Sequence, residues 1–286
     1  MLPIAIQSVI NQTCRDWELI IVDDGSTDNT NEVVASYNND RIIYIYQANQ
    51  ERSVARNNGI KHAKGAYVCF LDSDDYYLPE RLDLLYEEII QRKKPIALLY
   101  TGICFEKDDI ILKREEVLFN EKYSVFDFVI KAVIGVPQTC IAKQILVDFS
   151  FNPLFRIGED MELWLRIVNV YPLVFIPDQN TVIATDHFNR SVNVQLNNVF
   201  IEVLRVVKYS KKHYNYKFTK HILNEFYSDC FFGVTKYCVF KNHRIKAMYN
   251  LIKSILYYPK GRLLKHKIAI FIYLVISLKR VKKIIE

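Results

Sequence analysis

Asp72, Asp74 and Asp75 crowd into four residues, Asp72-Ser73-Asp74-Asp75, directly after the apolar run Tyr67-Val68-Cys69-Phe70-Leu71. The run predicts a strand, so the three carboxylates fall at its carboxyl end. Like charges this close repel one another unless a cation sits among them. A hard divalent ion with oxygen ligands, shared with substrate phosphates, has the matching chemistry. In open α/β sheets ligands bind at that same edge. The competing reading is an acidic turn that caps the next helix, with Pro79 at its first position.

Other groups have the same two-sided character. Asp23-Asp24-Gly25-Ser26 closes a second predicted strand. An aspartate there can accept hydrogen bonds from a base or ribose, yet Asp and Gly also favour tight turns for backbone reasons alone. Arg56, early in a predicted helix, can pair with a phosphate or with the Asp72–Asp75 cluster, or lie solvated. Gly158-Glu159-Asp160 opens another helix, where carboxylates are comfortable and the helix dipole is expected to depress their pKa values. A carboxylate there that faces a cleft can still take a proton from a hydroxyl in a transition state. His187 follows the last short strand and reads either as a metal or diphosphate contact or as a surface histidine.

These residues need a scaffold, and the order of elements supplies one. Short apolar strands at 17–22, 42–46, 67–71 and 96–104 alternate with helices at 2–11, after Ser26-Thr27-Asp28, at 53–63 and from Pro79 to about Gln91. That alternation predicts βαβ units and a largely parallel sheet. Residues 105–158 are less regular. A helix is expected from Glu159 to Val170, then short strands at 173–176 and 181–185. Beyond about residue 192 strand signals vanish, and helices are expected near 194–213, 218–239, 243–256 and 262–284.

The 286 residues are half apolar and about a quarter charged, the balance of a globular protein of one or two domains. The net charge of +6 conceals an asymmetry: residues 191–286 hold 19 Lys/Arg against 4 Asp/Glu, a net of +15, and residues 1–190 a net of −9. An acidic front and a basic back favour an anionic surface as the partner of the back. Six cysteines without a CxxC pair fit a reduced, cytosolic chain. No apolar run reaches the ~20 residues that span a bilayer as a helix. The segment Ile268–Leu278, flanked by lysines, reads either as an interfacial helix on anionic lipid or as a core helix. Interleaved aromatics such as Tyr216, Tyr227 and Phe232 recur at helical spacing and read as core rather than as a nucleic-acid platform.

WELIIVDDGSTDNT, ARNNGIKHAKGAYVCFLDSDD, LPERL and GEDMELWLRI, in that order, resemble the family 2 glycosyltransferases of GT-A fold over residues 1–190. The resemblance implies an α/β, Rossmann-like, mostly parallel sheet flanked by helices. Residues 191–286 would be a separate basic helical region that can associate with membranes. It also implies inverting transfer of a sugar from a nucleoside-diphosphate sugar to an acceptor hydroxyl. Asp24 would contact the base, and Arg56 would lie near the diphosphate. Asp72-Ser73-Asp74 would be the DxD motif, with Asp74 on Mg²⁺ or Mn²⁺. Asp160 would be the general base, and His187 a diphosphate contact weakened by Thr185, where relatives carry Arg. The basic tail, which would hold the acidic front against the inner leaflet, points to a glycan or lipid-linked acceptor in surface polysaccharide or glycolipid assembly. With the reduced cysteines it gives the expected place as the cytoplasm, peripheral on the inner face of the cell membrane, and the acidic front leaves no nucleic-acid partner expected. Relatives begin with a strand and a Pro-x-x-Asn-type turn, whereas this sequence opens at Met1-Leu2-Pro3-Ile4, so the chain is expected to lack the first strand. A non-catalytic relic or binding subunit is the alternative.

Overall fold

A computed structural model describes all residues except 108–109, 114–123, 178–180, 185–191, 215, 261–262 and 286, and the backbone alone at 107, 182–184, 192–198 and 276–285. The chain forms two compact units. Residues 1–121 with 132–188 make the first, and residues 122–131 with 189–286 the second.

The first unit is α/β. In order it contains α1 (Leu2–Ile10), β1 (Leu19–Asp24), α2 (Thr30–Ala35), β2 (Ile42–Gln47), α3 (Glu51–His62), β3 (Tyr67–Cys69), β4 (Asp75–Tyr77), α4 (Arg81–Gln91) and β5 (Leu98–Thr101). It continues with β6 (Cys104–Lys107), β7 (Ile110–Lys113), β8 (Thr139–Ala142), α6 (Lys143–Asp148), α7 (Glu159–Val168), β9 (Leu173–Ile176) and β10 (Thr181–Ala184). The intervening α5 (Val125–Ala132) lies almost wholly in the second unit.

Of the predicted βαβ units, the one joined by α2 pairs its strands directly in parallel. β1 runs beside β2, Leu19 opposite Ile42 through Asp24 opposite Gln47. β5 runs beside β9, Leu98 opposite Leu173. The irregular middle contributes β8, which lies antiparallel between β3 and β5, giving the order β3-β8-β5-β9. A further four-stranded sheet has the order β4-β10-β6-β7.

The core is built on β5, whose Leu98 and Leu99 are fully buried between flanking strands. Strands covered on both faces read as continuous apolar runs, as Ala97-Leu98-Leu99-Tyr100 does. Helix α4 sets Leu82, Leu85 and Ile89 on one face at helical spacing and packs them on Ala97, Leu99, Cys140 and Ile176. Burying Leu85 and Ile89 contributes about 1.5–3 kcal/mol each. From α7, Leu163, Trp164, Leu165 and Ile167 are all buried, and the Trp164 indole donates to the Ile134 carbonyl at 3.0 Å.

Two expectations at the acidic turn change. The strand Tyr67–Leu71 stops at Cys69, and a short strand, β4, begins at Asp75. Helix α4 therefore starts at Arg81 rather than Pro79, with Glu80 as its N-cap and no side-chain cap. Arg81 is buried. Its guanidinium donates to Thr101 Oγ1 at 2.8 Å and to the Pro137 carbonyl at 3.0 Å, and it stacks on Tyr77. Those bonds fix the start of α4 to the ends of β4 and β5.

The second unit is helical. It holds α8 (Val192–Tyr214), α9 (Lys220–Phe240), α10 (Arg244–Tyr257) and α11 (Leu264–Ile285), close to the four helices expected. Phe232, Val234, Cys238, Ala247, Leu251 and Leu274 form its apolar cluster. Ser228 and Ser254 exchange hydrogen bonds between α9 and α10, and the Lys267 ammonium of α11 donates to Ser228 Oγ at 2.6 Å. Burial pushes Lys267 below the usual lysine range. Asp127 of α5 accepts from the backbone N–H and hydroxyl of Thr219 at the head of α9. That bond ties residues 122–131 to this unit.

Candidate functional site

Strand β1 brings Asp23 and Asp24 to its carboxyl end, and Gly25 makes the turn that follows. Gly25 has φ of 87°, and a Cβ there would sit 2.9 Å from the Asn49 backbone nitrogen, so both conformation and space call for glycine. The two aspartates differ in employment. Asp23 is buried and accepts from Ser26 N–H at 2.7 Å, Ser26 hydroxyl at 2.5 Å and Tyr44 hydroxyl at 2.5 Å. Burial pushes its carboxyl up, but the bonds from Ser26 and Tyr44 outweigh it and hold it below the usual aspartate range. Tyr44, donating to that carboxylate, is pushed up to about 12. Asp24 is partly exposed and accepts from Gln47 Nε2 at 2.7 Å and Gln50 N–H at 2.9 Å.

The acidic turn splits by environment. Asp75 is buried at the head of β4, opposite Ile183 of β10, and its N–H donates to the Asp72 carbonyl. Asp72 and Asp74 stay partly exposed on the turn. Arg56 reaches across from α3: Nη2 lies 2.9 Å from Asp72 Oδ1, and Nη1 lies 2.8 Å from Glu159 Oε1. Its cationic face lies over the Phe151 ring. Arg56 is mostly buried and Glu159 almost wholly so. A desolvated pair is favourable only when its geometry is good, and two short bonds from one planar fork meet that condition.

Gly158, with φ of 77°, turns the chain into α7 and sets Glu159 and Asp160 in its first turn. The expected depression of Asp160 is reversed: its carboxyl is pushed up to about 7. Burial is the largest cause and the charge of Glu159 the next. The bond from Met161 N–H and the charge of Arg56 pull the other way, and Asp72 adds to the rise. Desolvation and two neighbouring carboxylates therefore outweigh the helix dipole.

The structure thus brings Arg56, Asp72, Glu159 and Asp160 into one electrostatic cluster, with Asp74 on the same turn as Asp72. Asp24 stands at the end of β1 with Gln47. His187 and Thr185 lie outside the described residues. Among the described residues, no three His, Cys, Asp or Glu side chains gather as a ready-made metal cage. The donor set present is two hard carboxylates on a partly open turn. That suits an Mg²⁺-like ion completed by substrate phosphates and water, which needs only one or two protein ligands. Sequence reading missed Gln47, Tyr44 and the pairing of Glu159 with Arg56. A signal for Gln47 existed: parallel neighbours align their carboxyl ends, so the last residue of β2 falls beside Asp24.

The fold is of the GT-A class. It is similar to S. aureus TarS 1-349, solved in complex with UDP, with a TM-score of 0.57 at 17% identity, over 91% of this chain and 88% of that one. The sequence model described as Glycosyl transferase family 2 matches residues 1–141, and through that stretch the chain is similar to this family. An uncharacterised glycosyltransferase of Rickettsia conorii is 33% identical over 167 residues, which are 58% of this chain and 27% of that protein. Escherichia coli WfgD, named as a UDP-Glc:alpha-D-GlcNAc-diphosphoundecaprenol beta-1,3-glucosyltransferase, is 28% identical over 57% of this chain and 63% of its own length. The chain spans about a quarter of the length of the R. conorii, R. felis and R. bellii relatives it matches.

Proposed function

We propose that this protein transfers a sugar, with inversion, from a nucleoside-diphosphate sugar to an acceptor hydroxyl. The observation that carries the reading is the Arg56 bridge. It joins Asp72, on the turn that would meet the diphosphate, to Glu159, the neighbour of a carboxyl poised near neutrality. Domain 1–190 is the transferase part in this reading, and 191–286 an accessory helical part.

The acceptor oxygen attacks the anomeric carbon from the face opposite the diphosphate. The carbon–oxygen bond to the diphosphate breaks, its electron pair stays on the leaving oxygen, and the proton of the acceptor goes to Asp160. A base with a pKa near the working pH combines availability with driving force, and such positioned bases contribute about 10²–10⁴-fold. One base suffices for a single displacement, so no covalent nucleophile is assigned. Asp24 would hold the base, aligned by Gln47. Asp74 would hold Mg²⁺ or Mn²⁺, which when bound stabilises charge on the leaving diphosphate, and Asp72, on the same turn, would contact the nucleotide sugar. In this assignment Arg56 lies near the diphosphate and also serves the carboxylates, since each of its terminal nitrogens uses one N–H on Glu159 or Asp72 and keeps a second. His187 is kept as a diphosphate contact on the resemblance alone.

The name of WfgD supports a lipid-linked or glycan acceptor in surface polysaccharide assembly. A cytoplasmic position, peripheral on the membrane, goes with such an acceptor. Among the described residues no helix is long and apolar enough to cross a membrane. Titration of UDP with Mn²⁺ into wild type and Asp74→Ala tests the donor site, and a screen of nucleotide sugars for metal-dependent release of nucleoside diphosphate tests turnover. Binding lost in the variant and release with at least one donor are expected. Equal UDP affinity in both proteins and no release from any donor would leave a binding subunit instead.

A further inference from the structure

Helix α10 has two apolar faces, and among the described residues only one of them is packed. Ala247, Leu251 and Ser254 are buried against α9 and α11. On the opposite face Ile245, Tyr249, Ile252 and Leu256 recur at i, i+4, i+7 and i+11, and all are exposed, Ile245 at 80% and Leu256 at 77%. Phe240, just before the helix, is exposed as well. A water-facing stripe of this length, about 16 Å at the helical rise, is not a scatter of single surface residues.

The charges around it have one sign. At 100° per residue Arg244 flanks the stripe on one side and Lys246 and Lys253 on the other. The Lys253 ammonium lies 4.3 Å from the centre of the Tyr249 ring, and that of Lys241 5.5 Å from the centre of the Phe240 ring. From residue 230 to 285 the chain has thirteen Lys/Arg and no Asp or Glu. Long basic side chains laid over aromatic rings beside an aliphatic stripe match the boundary between acyl chains and anionic headgroups.

We propose that the Ile245–Leu256 face of α10 is a docking surface for an anionic lipid bilayer, on which the helix lies without crossing. The charge selects this occupant. A second copy would set Arg244, Lys246 and Lys253 against the same residues with no acidic partner between them, and like-charge contact opposes that dimer. A nucleic acid would meet the cations but leave Ile245, Ile252 and Leu256 unburied. The sequence offered Ile268–Leu278 as the interfacial helix, with a core helix as the alternative. Helix α11 instead packs Ile270 and Leu274 inward and exposes Ile268, Phe271, Ile272 and Tyr273, so it can add to the contact but does not form it alone. The inference stands whether or not the first unit transfers a sugar.

The test is flotation of the full chain with phosphatidylcholine vesicles, with and without phosphatidylglycerol as a minority lipid. Two double variants accompany wild type: Ile245→Ser/Leu256→Ser for the stripe and Arg244→Glu/Lys246→Glu for its flanks. Wild type is expected to float with the anionic vesicles only, less so as salt rises, and each variant to lose about tenfold or more in vesicle affinity. Ile245, Lys246 and Leu256 are exposed and Arg244 half-buried, bonded to Asn242, so unchanged thermal melting is required for the comparison. Equal flotation of both variants and wild type overturns the proposal. So does a wild type that ignores vesicles but elutes as a dimer which Ile245→Ser/Leu256→Ser dissociates. UDP titration of the same proteins separates the two readings, because its failure would count against sugar transfer alone.

Discussion

Arg56 and Glu159, 103 residues apart in the chain, meet at 2.8 Å between Nη1 and Oε1, while the other terminal nitrogen of Arg56 holds Asp72 at 2.9 Å. One guanidinium therefore fixes the head of α7 relative to the acidic turn beyond β3. It also places a positive charge near Asp160, which sits beside Glu159. The bridge is structural and electrostatic at once, and the two roles give separable consequences.

Arg56→Met leaves Glu159 buried without its main partner. Breaking a buried pair from one side costs about 3–5 kcal/mol. Urea denaturation should show a loss of about 3 kcal/mol, since Asp72 is partly exposed and can rehydrate. Arg56 lowers the Asp160 pKa, so in the surviving folded protein the acid limb of the pH–rate profile should move to higher pH. Arg56→Lys keeps the charge but not the fork and should move the limb less.

Asp160 has a pKa of about 7, which sets both a rate and a stability dependence on pH. With Asp160 as base, kcat/KM should rise tenfold per pH unit below about 7 and level off above it. Asp160→Asn should lower kcat by about 10²–10⁴-fold. The stability effect has the opposite sign. Between pH 4 and 7 the folded carboxyl keeps a proton that the unfolded one has released, so this group's contribution to stability falls as pH rises through that window. Asp160→Asn should therefore stabilise the fold at pH 8, by about 2 kcal/mol once the rise of the carboxyl to about 7 is discounted for partial exposure, and hardly at all at pH 4. Thermal melts at the two pH values read this directly.

Tyr44→Phe removes a donor from the Asp23 carboxylate. Bonds to charged groups are worth about 1.5–3 kcal/mol. Asp23 has a lowered folded pKa, so its bonds stabilise above the unfolded pKa and fade as pH falls through the folded one. The variant should be less stable than wild type by about 1.5 kcal/mol at pH 7, with the gap closing toward pH 3, in paired denaturant titrations.

Gly25→Ala places a Cβ in a left-handed conformation and 2.9 Å from the Asn49 nitrogen. The conformation alone costs about 1–2 kcal/mol. If Asp24 binds the base, the shifted turn should also weaken UDP in calorimetric titration. A matched control, Asp28→Ala, breaks two exposed local bonds from Thr30 and should leave UDP affinity unchanged.

The legible parts of the molecule are those whose signals are local. WELIIV followed by Asp-Asp-Gly announced β1 and its turn, and Gly158-Glu159-Asp160 announced the start of α7. The 3.6-residue spacing of apolar residues past 192 marked all four terminal helices within a few positions, because a helix satisfies its own hydrogen bonds and displays its period in sequence. β8 and β4 were not legible. Each is three or four residues long and exists through partners far away, β8 between β3 and β5, and β4 against β10.

The same division holds at the site. Residue types and order along the chain determined which side chains could do chemistry: the aspartates at strand ends, the arginine of α3, the acidic pair opening α7. Tertiary structure alone decided that Arg56 turns to Glu159 and Asp72 and that Asp75 is buried in a strand. It also decided that Asp160 titrates near neutrality and that α10 leaves an apolar stripe in water. Desolvation and charge–charge energies depend on distances through space between residues remote in sequence, and no local pattern encodes those distances.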